Sequence, residues 1–147
     1  MSTKGTDLTD ILKPGNDVLT IDVILTEFNE VKGHNGNACM ILFNGYCHCD
    51  IFNGDILNGG VDTQKQDAGS IIRTLSARYI LQGKDFEGND CRIFIENNGV
   101  SEGGNFTTTP KILTDSEALK ILEDMDLVGS IGGTDEEGHI QIHIRKK

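Results

Sequence analysis

Apolar residues recur at every second position along most of this chain, and that period limits the fold more than any other feature. Leu19, Ile21, Val23 and Leu25 alternate with Thr20, Asp22 and Ile24. Leu75, Ala77, Tyr79 and Leu81 fall on one face of a segment from Ser70 to Gln82, with Thr74, Ser76, Arg78 and Gln82 on the other. Cys91, Ile93 and Ile95 share a face, as do Ile140, Ile142 and Ile144 opposite His139, Gln141, His143 and Arg145. Successive side chains of a strand point to opposite faces, so each segment reads as a half-buried strand.

Turn signals separate these segments. Lys32 to Asn37 is one cluster, and Lys84 to Asn89 and Gly132 to Gly138 are others. Asn44-Gly45 favours a hairpin turn or a bulge. Asn97-Asn98-Gly99 reads as the end of a strand, and Val100 to Asn105 as a loop before a strand at Phe106 to Thr109. One short helix is expected from Asp115 to Glu123. Thr114 would cap it, Glu117 stands three residues on, and Ala118, Leu119, Ile121 and Leu122 form a stripe at helical spacing. The sum is an all-β chain of about seven to eight short strands, and closing them into an antiparallel β-barrel removes exposed edges. The 147 residues suit a single domain at 17–147. Residues 1–16 read as a flexible N-terminal segment ending in the turn Lys13-Pro14-Gly15-Asn16.

The formal net charge is -10, which repels phosphate backbones and anionic lipid. Nucleic acid and membrane surfaces are therefore not expected partners. Met1 to Asp7 carries no apolar signal core, and no apolar run nears the roughly 18 residues of a membrane span. The expectation is a cytoplasmic protein whose four cysteines, Cys39, Cys47, Cys49 and Cys91, stay reduced.

Metal binding finds little support. Cys47 and Cys49 would project together from a strand while His48 projects oppositely, and no second cysteine pair completes a site. His139 and His143 share a face, but their Cβ atoms would be roughly 13 Å apart at strand rise. No Gly-rich loop stands between a strand and a helix, so no nucleotide cofactor is expected. No cofactor of any kind is predicted, and no nucleophilic triad or paired acid has a signature here.

Three blocks stand out among the strands: Gly59-Gly60-Val61-Asp62-Thr63-Gln64, Ala77-Arg78-Tyr79 and Thr107-Thr108-Thr109-Pro110. With Asn97-Asn98-Gly99, and in this order, they make the chain resemble the bacterial domain of unknown function 3237 family over about Val18 to Ile144. The resemblance implies a small β-barrel with a cavity at one end and no assigned activity. Members often carry an aromatic after the Asp of the Gly-Gly block, where this chain has Thr63, and many have a longer loop than Val100 to Asn105. Those departures imply a more open or more polar pocket.

The candidate ligand-binding residues are Asp62, Tyr79, Thr108 and Arg78. Asp62 follows two glycines that let the backbone approach a ligand, and the plain alternative is an Asx turn. Tyr79 shares the apolar face, so its phenol enters the barrel and needs a partner or serves as packing. Arg78 alternates onto the polar face, where a cross-strand pair with Glu96 is the plain expectation. Three functions follow. The first is a barrel binding a small, partly apolar ligand in its mouth. The second is a cofactor-free isomerase or cyclase using Asp62 and Tyr79. The third is an interaction module with a filled core. Homo-oligomerisation is left open.

Overall fold

The computed structural model describes residues 15–147 together with Leu8 and Leu12. The expected flexible segment at 1–16 falls otherwise outside the described residues.

Among the described residues nine strands form one antiparallel sheet: β1 (Asp17–Lys32), β2 (Gly36–His48), β3 (Phe52–Ile56), β4 (Val61–Asp67), β5 (Ile72–Asp85), β6 (Asp90–Glu102), β7 (Phe106–Thr114), β8 (Leu127–Gly133) and β9 (His139–Lys146). β1 pairs with both β2 and β9, and this closes the sheet into a barrel. β3 and β4 follow each other along one position between β2 and β5, so nine strands make eight positions. No helix among the described residues is long and apolar enough to cross a membrane.

Alternation decides what fills the barrel. Leu19, Ile21, Val23, Phe43, Cys47, Leu75, Tyr79, Leu81, Ile93, Ile95, Ile112, Ile142 and Ile144 are buried. One end is plugged by Val18, Ile51, Phe52, Leu119, Leu122 and Leu127, all buried in the same cluster. The opposite end carries the β1–β2, β4–β5, β6–β7 and β8–β9 turns.

Several local expectations need correction. The helix is a single 3-10 turn at Lys120–Asp124, and no side chain caps it. Thr114 is the last residue of β7, paired with Ile93, and its hydroxyl donates to the Arg92 carbonyl at 2.7 Å. The sheet thus takes the residue that would have capped a longer helix. Ser116 bonds the turn instead: its Oγ accepts from Leu119 N–H at 3.1 Å and donates to Asp85 Oδ2 at 2.7 Å.

Asn44-Gly45 makes no turn. β2 runs through it, paired with Ile24 and Val23. The bulge lies on the partner strand, where Leu25 and Glu27 oppose Phe43 and Leu42 and Thr26 is left between them. A Cβ on Gly45 would strike the Asp22 carbonyl, so glycine permits the close approach of β1 and β2. Asn97-Asn98-Gly99 does not end a strand either. β6 continues to Glu102, and only Gly103 to Asn105 separate it from β7.

The ladder is thinnest between β7 and β8, which meet through the single pair Thr108–Gly129. Pro110, two residues on, has no N–H to extend it. Gly129 is required there, since a Cβ would fall on Thr108 Oγ1.

Candidate functional site

The site begins with a cross-strand row. Ile41, Asp62, Ala77, Asn97 and Pro110 occupy matching positions on β2, β4, β5, β6 and β7. The alternation that buries Leu75 and Tyr79 turns Ala77 inward with them. Its methyl group is too small to fill the space between Asp62 and Asn97. The result is a cavity of about 50 Å³ near the open end, walled by Val23, Leu25, Phe43, Leu75, Ile140 and Ile142 and reached by Asp62, Tyr79 and Asn97. That volume accommodates a few waters or the head of a small molecule, and a site of roughly 300 Å³ or more is typical for a drug-sized ligand.

The polar groups around this space are incompletely bonded. Asp62 Oδ2 accepts from Gln64 Nε2 at 2.8 Å, while Asp62 Oδ1 is buried without a partner. Tyr79 Oη, Asn97 Oδ1 and Thr108 Oγ1 are also buried without partners. Three of these atoms belong to residues that line the space, and Thr108 Oγ1 lies beside it, so a polar guest there would meet donors and acceptors that the protein does not itself pair.

Burial raises the Asp62 pKa above the ordinary carboxylate value, and the Gln64 bond, the Ser76 backbone and the Arg73 charge pull against that rise. Burial also pushes the Tyr79 phenol well up, so Tyr79 stays protonated and offers a donor. The Tyr79 ring is held edge-on to Phe43, with centroids 5.3 Å apart. Behind Asp62, Arg73 Nε donates to Gln64 Oε1 at 2.7 Å and Arg73 Nη1 to Gln66 Oε1 at 3.2 Å. This chain of bonds fixes the Gln64 amide and so the orientation of the carboxylate.

The structure places the other predicted residues as follows. Thr108 is fully buried beside Gly129 and close to Asn97, just outside the cavity lining. Arg78 stands on the outer face, its Nε 3.1 Å from Glu96 Oε2 and its side chain 61% exposed. The barrel therefore brings Asp62, Tyr79 and Thr108 to one region and leaves Arg78 on the far side of the wall. Asn97 is the residue missed. Ile93 and Ile95 predict an inward position at 97, and reading Asn97-Asn98-Gly99 as a turn hid it. Among the described residues no group of three or more His, Cys, Asp or Glu side chains is placed to hold a metal ion.

Solved structures of the same shape support the barrel. A protein of unknown function from Clostridium acetobutylicum ATCC 824 is 22% identical, superposes with a TM-score of 0.72, and the match covers 88% of this chain and 95% of that one. A conserved protein of unknown function from Rhodopseudomonas palustris is 19% identical with a TM-score of 0.71, covering 87% and 93%. A β-barrel-like protein from Acinetobacter baumannii AYE is also 19% identical with a TM-score of 0.71, covering 88% and 92%. At these identities the likeness concerns the fold alone. No curated protein matches the chain. The family model described as protein of unknown function (DUF3237) matches residues 16–105 and spans β1 to β6 with Asp62, Tyr79 and Asn97, and the chain belongs to that family.

Proposed function

We propose that the protein binds a small, partly apolar molecule through the open end of the barrel, with Asp62, Tyr79 and Asn97 orienting its polar atoms. The observation that carries this reading is the set of unpaired buried atoms around an apolar space. Tyr79 offers a hydroxyl donor, and Asp62 and Asn97 offer acceptors. A ligand bearing both a donor and an acceptor would satisfy several of them at once, while Val23, Leu25, Phe43 and Ile142 meet its carbon skeleton. Arg78 has no part in this reading, because it lies outside the wall.

A second reading, cofactor-free proton transfer, is favoured by one observation, the upward displacement of the Asp62 pKa by burial. A general base or acid at neutral pH needs that displacement. Tyr79 would then hold the substrate by donating a hydrogen bond.

The test is a thermal-shift screen of metabolites on the full chain, repeated on Tyr79→Phe and Asp62→Asn. The expected result is a stabilising ligand whose affinity falls by about 0.5–1.5 kcal/mol in Tyr79→Phe, the worth of one neutral hydrogen bond. A ligand that stabilises both variants as well as the parent protein would overturn the assignment of these residues.

A further inference from the structure

At the plugged end of the barrel, far from Asp62 along the strands, two sulfurs lie together. Cys47 is the last inward residue of β2 and is fully buried. Two residues on, the chain has left the ladder, and Cys49 turns back so that its Sγ lies 3.3 Å from Cys47 Sγ. In a regular strand, side chains at this spacing stand side by side and further apart. The departure from the ladder at Cys49 brings them into contact. Its N–H still donates to the Phe52 carbonyl at 2.9 Å, which holds the turn.

The two thiols differ. Cys49 is partly exposed and lines an open cleft of about 410 Å³ with Asp17, Thr20, His48 and Asp50. Its sulfur accepts from the Thr20 backbone N–H at 3.2 Å. The hydrogen bond from Cys47 and the contact with Thr20 lower the Cys49 pKa, against burial and the acidic charges of Asp50 and Asp17. The same shared bond, with burial, raises that of Cys47. One sulfur is thus reachable from the cleft, and the other is enclosed beside it.

We propose that Cys47 and Cys49 form a reversible peroxide-reactive dithiol site, with Cys49 the attacking sulfur and Cys47 the resolving one. The Cys49 thiolate attacks one oxygen of a hydroperoxide. The O–O bond breaks, the sulfur keeps the hydroxyl as a sulfenic acid, and the leaving alkoxide or hydroxide takes a proton from water. Cys47 then attacks the Cys49 sulfur. An S–S bond forms, the S–O bond breaks, and the hydroxyl departs with the Cys47 proton as water. Two thiols lose two electrons and two protons, and one hydroperoxide is reduced to an alcohol and water. The ring closed by this bond holds a single intervening residue, His48, so the bond is strained and easily reduced by a small thiol. The bond from the Thr20 amide to Cys49 Sγ ties the site to β1.

The experiment treats the native full chain with stoichiometric hydrogen peroxide, then denatures it, alkylates the remaining thiols and maps peptides by mass spectrometry. The expected product has lost two of its four alkylatable thiols, with the bond located between Cys47 and Cys49 and both thiols recovered with dithiothreitol. Dimedone present during oxidation should label Cys49 at least about tenfold faster than Cys39 or Cys91. Cys47→Ser should arrest oxidation at the sulfenic acid, and Cys49→Ser should leave Cys47 unoxidised under the same dose. Equal reactivity of all four thiols, a bond to Cys39 or Cys91, or a pair that forms only after denaturation would overturn the proposal. The wild-type labelling pattern decides the matter even if a variant fails to fold.

Discussion

Asp62 and Asn97 flank Ala77 in one cross-strand row, and each has a buried oxygen without a hydrogen-bond partner. A row of larger apolar residues would have closed the barrel here. The small side chain at 77 and the two polar ones beside it leave a space whose polar atoms the protein does not itself pair.

Removing an unsatisfied buried hydroxyl should help the empty protein. Tyr79→Phe keeps the ring against Phe43 and deletes only an unpaired group, so the variant should be more stable by up to about 1 kcal/mol in chemical denaturation. The same change is expected to weaken ligand binding. A destabilised Tyr79→Phe would mean that the hydroxyl already has a partner.

Asp62 should make the protein less stable as pH rises. Its folded pKa lies above the ordinary 3.8, so the native state holds the proton more tightly than the unfolded chain. The contribution to stability is full below 3.8 and is lost as pH rises through the raised folded value. Asp62→Asn cannot ionise. Its stability relative to wild type should therefore increase from acid toward neutral pH, followed by denaturant melts. A difference that does not change with pH would contradict the burial of this carboxylate.

His139 gives a second pH dependence on the outer surface. Its Nε2 lies 2.9 Å from Asp22 Oδ1, and the Asp22 and Glu136 hydrogen bonds raise its pKa above 6.5. A raised histidine contributes stability that is full below 6.5 and is lost as pH rises through the folded value. Melting temperatures of His139→Gln and wild type should converge above neutral pH. A gap that widens there would refute the ion pair.

Glycines mark where strands crowd. At Gly83 a Cβ would fall on the Asn53 carbonyl of β3, and backbone cannot yield as a side chain can. Gly83→Ala should cost about 3 kcal/mol or more, while Gly133→Ala, which meets nothing within 4 Å, should be close to neutral. Equal midpoints for the two variants in urea would show that the β3–β5 approach is wrong.

How far the sequence revealed this molecule can be followed residue by residue. The inward sets Leu19-Ile21-Val23 and Leu75-Tyr79-Leu81 were legible because period two depends on neighbours alone. The outward Arg78–Glu96 pair followed from the same rule. Asn44-Gly45 and Asn97-Asn98-Gly99 misled because local turn chemistry gave way to long ladders on both sides. The helix at 115–123 shrank because β7 holds Thr114 from the other side, a contact with Arg92 that lies 22 residues away. Asn97 became visible as a candidate residue only when register set it beside Ala77.

The central claim, a ligand site inside the open end, is tested most directly by amide NMR of the full chain titrated with a panel of phenols, lactams and small cyclic amides. Shifts should concentrate at Asp62, Ala77, Tyr79 and Asn97, leave the amides of the plugged end such as Ile51 and Leu119 unmoved, and saturate with one ligand. Saturable binding whose shifts centre elsewhere, or the absence of any saturable shift across the panel, would contradict it.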